Sequence, residues 1–146
     1  MFRIVLIIIF VSQVSTVLAD MRADSLLLTG ARSKNVGMIE LALSRGAELN
    51  SKDELGSTPL IWASFHGEIK VMDILWKEGA KLDEQDSMGR TALMWSALSG
   101  RLKAIEFLIA KGANFKMLDS KGLSAAEWAL REGHEDISNA LLQYEN

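Results

Sequence analysis

Cysteine is absent from all 146 residues, which excludes disulfide bonds and thiolate chemistry. Histidine occurs twice, as His66 and His134, and the two are not spaced as a metal-binding pair. No G-x-S-x-G elbow, G-x-G-x-x-G turn, Walker-type phosphate loop or H-E-x-x-H helix is present. Basic residues are also short: 16 Lys and Arg stand against 19 Asp and Glu, a formal charge of -3. That balance argues against a nucleic-acid backbone as partner and against polybasic attraction to anionic lipid. Asp83, Glu84 and Asp86 form one dense acidic cluster, but the glycine and spacing of a calcium loop are missing, so they read as a solvated loop. The sequence therefore predicts no enzyme, no cofactor and no metal.

Long apolar runs are lacking as well, with one exception at the start. Ile4 to Val11 is unbroken, Arg3 precedes it, and Val17-Leu18-Ala19 places small or apolar residues before Asp20. Ser12, Gln13, Ser15 and Thr16 interrupt the stretch before it reaches the roughly 20 apolar residues a membrane span needs. Charged start, apolar run and small-residue cleavage site read as a signal peptide over residues 1–19, cut near Ala19. The expected product is an exported chain, periplasmic or secreted, without stable membrane insertion after cleavage. Its formal charge would be near -4, because Arg3 is the only charged residue removed. A retained anchor is the alternative.

What the remaining chain does have is a period of 33. Gly56, Gly89 and Gly122 keep that step, as do Gly67, Gly100 and Gly133, and Gly46, Gly79 and Gly112. Trp62, Trp95 and Trp128 keep it too, with Asp53, Asp86 and Asp119. One hydroxyl position runs through Ser25, Thr58, Thr91 and Ser124. Agreement of several registers on one period marks stacked supersecondary units, none of which can bury its apolar face alone. The units run about 23–55, 56–88, 89–121 and 122–146, so residues 20–146 form one domain.

The local code is fullest in the second unit. Asp53 and Gly56 suit a tight turn in which the aspartate binds its own downstream backbone. Thr58 has the side chain of a helix cap, and Pro59, the chain's one proline, sits at the first helical position. A helix from about Pro59 to His66 should stop at Gly67, and a second from Ile69 to Lys77 at Gly79. The third unit repeats this with a second helix from Leu102 to Lys111. The fourth opens on a capping box, Ser124 to Glu127, and ends with a helix from Glu135 to Gln143. The first unit is degenerate: Ser25 holds the cap position, Thr29 replaces tryptophan and Lys34 replaces glycine, although a helix from Val36 to Ser44 is intact.

Turn, hydroxyl cap, helix, glycine, helix, glycine and loop at this period resemble the ankyrin repeat. The family's Thr-Pro-Leu start is present as Thr58-Pro59-Leu60 and relaxed to Thr91-Ala92-Leu93 and Ser124-Ala125-Ala126. Its Gly-Ala ending appears at Gly46-Ala47, Gly79-Ala80 and Gly112-Ala113. The usual histidine after Thr-Pro-Leu is replaced by Ile61, Met94 and Glu127. The resemblance implies an all-α solenoid of about four helix-turn-helix units with projecting loops. It implies binding of a protein partner through the loop tips and the concave face of the first helices.

Helical geometry puts Trp62, Phe65 and His66 on one face of the first helix, opposite Leu60, Ala63 and Ser64. Trp95 and Leu98 take the same face in the third unit and Trp128 in the fourth. The tryptophans should form a ladder along the concave groove, either sealing the seams between repeats or offering a stripe of the residue type common in binding hot spots. Trp76, on a second helix, reads as core or outer-face packing, and His134 as structural. The expected contact set is Leu55, Trp62, Phe65, His66, Met88, Arg90, Trp95, Leu98, Lys121 and Trp128. The function read from the sequence is an exported, monomeric, non-catalytic interaction module. Its narrower form is an inhibitor, immunity or accessory protein of an exported enzyme; an enzyme is the remote alternative, and would require a ligand-sized pocket holding His66 beside an acid.

Overall fold

The structure, a computed structural model, describes residues 22–145. The signal-peptide expectation for residues 1–19 lies outside the described residues. Eight helices and no strand occur among the latter. They pair as α1 (Ala23–Ser33) with α2 (Val36–Ser44), α3 (Pro59–His66) with α4 (Ile69–Lys77), α5 (Ala92–Leu98) with α6 (Leu102–Ala110), and α7 (Ala125–Arg131) with α8 (Glu135–Glu145). The odd-numbered helices pack side by side as an inner layer, and each even-numbered helix packs on its own partner. None of these helices is long and apolar enough to cross a membrane.

The caps explain where the inner helices begin. Thr58 Oγ1 accepts from Ile61 N at 3.3 Å and Thr91 Oγ1 from Met94 N at 3.4 Å. Ser124 and Glu127 form the reciprocal capping box, with Ser124 N donating to Glu127 Oε2 at 2.7 Å. The first unit departs from expectation: α1 starts at Ala23, so Ser25 lies inside the helix and caps nothing. Arg22 holds the cap position without a side-chain bond. Lys34 takes the left-handed conformation that glycine takes in the other units, with φ of 61°. Such a residue lacks glycine's freedom and costs roughly 1–2 kcal/mol. The helix α6 ends one residue before Lys111, and α8 runs two beyond Gln143.

One apolar core threads all four units. Leu75, Leu108 and Leu141 occupy the same register of α4, α6 and α8 and are buried, as are Leu27, Leu60 and Leu93 of the inner layer. Ile61 and Met94, where the family usually has histidine, are buried in the same core.

Two further contacts recur at the seams between units. Ser87 N donates to Leu55 O and Ser120 N to Met88 O, each at 3.0 Å, so successive loops are stitched backbone to backbone. A Cβ on Gly56 would come within 2.6 Å of Ser87 N, and one on Gly89 within 2.7 Å of Ser120 N, which is why these turns need glycine. At the other end of the inner helices, Arg101 lies over Gly67 and the His134 imidazole over Gly100, where an added Cβ would meet the ring at 2.7 Å. In the first seam Glu68 forms an ion pair with Lys34 at 3.6 Å instead. His134 is thus a packing residue of the seam.

The acidic cluster is not a solvated loop. Asp86 is buried, Glu84 pairs with Lys52 at 3.1 Å and Lys81 at 3.6 Å, and Asp83 Oδ1 accepts from Asn114 N at 2.9 Å. Each carboxylate ties its own loop to another segment. No grouping of three potential metal ligands occurs among the described residues.

Candidate functional site

The loops carry the site because an aspartate in each is bound on two sides. Asp53 Oδ1 accepts from Leu55 N and Ser57 N, both at 2.9 Å, which closes the turn. Its Oδ2 accepts from the Trp62 indole N–H at 2.8 Å, which clips the loop to the inner helix. Asp86 repeats this with Met88 N, Arg90 N and Trp95 Nε1, all at 2.9 Å. Asp119 repeats it with Lys121 N at 2.8 Å, Leu123 N at 2.9 Å and Trp128 Nε1 at 3.0 Å. The two registers already visible in the sequence, aspartate and tryptophan nine residues later, are one device used three times.

That device settles what each tryptophan does and what stands next to it. One indole edge is committed to the fold, while the residue remains half-buried. The residue two places after each aspartate stands at the loop tip: Leu55 is 64% exposed, Met88 37%, and Lys121 is exposed. Asp86 also holds Arg90, whose Nε and Nη2 both lie 3.0 Å from Oδ2. The guanidinium carbon sits 3.9 Å from the centre of the Trp95 ring, a cation–π contact with a fixed cation.

Between the Asp53 and Asp86 loops lies a cleft of about 160 Å³, walled by Leu55, Trp62, Phe65, Met88, Arg90 and Trp95. Six of the ten expected contact residues therefore meet in one place. The aromatic row is built with Phe65 as its middle member: its ring centre is 6.1 Å from Trp62 and 5.4 Å from Trp95, edge-on to both. His66 stacks on Trp62 at 6.1 Å. The row does not extend to Trp128, whose ring has Arg131 at 6.0 Å, and neither Leu98 nor Lys121 walls the cleft. Trp76 lies on the outer helices under Lys111, 3.7 Å from its ring.

Burial pushes the His66 imidazole below its ordinary pKa, and the charges of Lys34 and Arg101 push the same way against a hydrogen bond to the Arg32 main chain and the charge of Glu68. Its Nε2 is buried without a hydrogen-bond partner. At neutral pH it is an uncharged aromatic member of the row. It walls neither this cleft nor the wider groove of about 1020 Å³ beside α1, so the pocket an enzymatic reading requires is not at either.

A family model described as ankyrin repeats in three copies matches residues 27–119 and 84–146. The chain belongs to the ankyrin repeat family. Two curated relatives share shorter segments. The protein VAPYRIN-LIKE of Medicago truncatula is 44% identical over 54 residues, which is 37% of this chain and 12% of that protein. The ankyrin repeat domain-containing protein SAT10 of Stachybotrys chartarum is 35% identical over 68 residues, 44% of this chain and 4% of that protein. The matches span only a small part of either relative's length. Ankyrin repeats are protein–protein interaction modules, in general without catalysis.

The clip at Asp119 makes the stability of these ankyrin repeats acid-sensitive. Burial alone would raise the Asp119 pKa, but hydrogen bonds from Leu123, Lys121 and Trp128 and the Lys121 charge outweigh it and hold the carboxyl below its ordinary value. A group with a depressed folded pKa stabilises the fold above its unfolded pKa and loses that contribution as pH falls through the folded value. Unfolding midpoints in urea should therefore fall as pH drops through and below the ordinary carboxylate range near 4. Asp119→Asn should be less stable at neutral pH and show a shallower fall; an unchanged slope would remove Asp119 from the acid response.

Proposed function

We propose that the chain is an exported, non-catalytic binding module that holds another extracytoplasmic protein against its loop tips and inner face. The observation that carries the binding half is the preformed cleft at Leu55, Trp62, Phe65, Met88 and Trp95, whose walls are fixed by the aspartate clips before any partner arrives. Pre-organisation of aromatic walls spares the ordering cost of association. The export half rests on Arg3, the run from Ile4 to Val11 and the Val17-Leu18-Ala19 site.

Both halves are tested on protein recovered from its own host. Its intact mass should correspond to a chain beginning at Asp20; a full-length mass in the membrane fraction overturns export with cleavage. With that protein as bait, Leu55→Asp should weaken partner capture at least about tenfold, as a loss near 1.4 kcal/mol implies. Asp136→Ala, exposed on α8, should leave capture unchanged. Equal loss or equal retention in the two variants would place the binding surface elsewhere.

A further inference from the structure

The cleft does not stand alone. Leu55 and Trp62 form its wall on one side and also wall the wide groove between α1 and the Asp53 loop. The groove exists because α1 carries Thr29 where the other inner helices carry tryptophan, and Thr29 is among its lining residues. A narrow apolar cleft thus opens, across one indole, into a broad trough that charged residues also line.

Both sides of that trough carry both signs: Arg22, Asp24 and Arg32 line it from α1 and its cap, and Lys52, Asp53 and Glu54 from the loop. Arg32 of α1 is exposed, lies 5.6 Å from the centre of the Trp62 ring, and forms no ion pair among the described residues. Arg90, its counterpart on Trp95, is already neutralised by Asp86. Two carboxylates that line the same groove have partners of their own: Asp53 accepts three N–H bonds, and Asp24 Oδ1 accepts from Glu48 N at 2.7 Å. Glu54 stands exposed on the loop side of the same trough. With Lys52 paired to Glu84, the groove presents Arg32 on the helix side as an exposed cation in contact with Trp62, and Glu54 on the loop side as an exposed anion.

The cleft's size sets the other requirement. An apolar cavity of about 150 Å³ accepts benzene, and this cleft is of that size, about 160 Å³. One phenyl or isobutyl group fits; two do not.

We propose that this face takes a short partner segment that seats one phenylalanine- or leucine-sized side chain between Leu55 and Met88 and sets a neighbouring carboxylate against the Arg32 guanidinium. This rests on the binding-face reading above and narrows it to an apolar–acidic motif. The carboxylate lies on the α1 side, because Glu54 repels it from the loop side. Trp62 is the shared element, one face toward the apolar group and its ring also in reach of the cation that binds the acid.

Four capped hexapeptides test it, differing only in Phe or Ala at the third position and Asp or Asn at the fifth, titrated into the full chain while the Trp62 and Trp95 indole N–H resonances are followed. The Phe–Asp peptide should bind at least about tenfold more tightly than the Ala–Asp peptide and about fivefold more tightly than the Phe–Asn peptide. Arg32→Gln should abolish the Asp-over-Asn preference and keep the Phe-over-Ala preference; Leu55→Ser should reduce the latter. Both residues are exposed, so neither variant endangers the fold. Four peptides that bind alike, or not at all, overturn the motif, as does an Asp preference that survives Arg32→Gln. If the peptides fail while capture of the whole partner still depends on Leu55, the binding face stands and only the motif is wrong; if both fail, the binding face falls as well.

Discussion

Replacing Asp86 by alanine should cost the domain about 3–5 kcal/mol, the penalty of breaking a buried pair by removing one partner. The aspartate is buried and accepts from Met88 N, Arg90 N, the Trp95 indole and the Arg90 guanidinium. Without it the Arg90 charge, only 15% exposed in its side chain, loses its counter-ion while lying against Trp95. Asp86→Asn should recover only part of the loss, because an amide can accept the two turn N–H groups but then points its own NH₂ at donors. Equilibrium unfolding in urea measures both. A change below about 1 kcal/mol for Asp86→Ala, the level of a surface pair, would mean that the clip is ornamental.

Leu108→Ala should cost about 2–5 kcal/mol through lost transfer energy and the cavity left behind. Leu108 is fully buried on α6, between the equivalent Leu75 and Leu141 of the neighbouring units. Because each unit covers the next, the damage should spread to both neighbours, and hydrogen exchange should quicken in α4 and α8 as well as α6. Exchange that quickens in α6 alone would show that the units are energetically independent. Trp95→Ala should fall closer to Leu108→Ala than a half-exposed side chain suggests, since it also strips the indole N–H from Asp86. A binding assay on Trp95→Ala must therefore be corrected for the unfolded fraction.

The helices were legible because the period of 33 is written redundantly, in caps, glycines and apolar spacing together. Pro59 to His66 and Ile69 to Lys77 begin and end where Thr58, Gly67 and Gly79 imply. The aspartate–tryptophan clip was not read, although both registers were plain. Nothing in a linear pattern says that a loop folds back so that the second oxygen of Asp53 meets an indole nine residues on. For the same reason Asp86 looked like one of three solvated acids, when its partners are backbone N–H groups that composition cannot display. Ser25 was misplaced as a cap because its register was inherited from better-kept copies, and α1 begins two residues before it. The site was half legible: residue type and face located Leu55, Phe65, Met88 and the tryptophans, but the gap after Leu98, which leaves Trp128 apart, depends on side-chain reach.

The same clips bear on how fast the chain can find its fold. Each joins groups only nine residues apart, and the seams join residues about one repeat apart, as in Ser87 to Leu55. Closing a loop of the clips' length takes on the order of 10–100 ns, and topologies dominated by near-neighbour pairings cross their folding barriers quickly. A loop and its inner helix can lock together before any distant segment is in place. The second and third units, which carry a clip and a neighbour on each side, are the natural nucleus, from which order spreads outward one seam at a time.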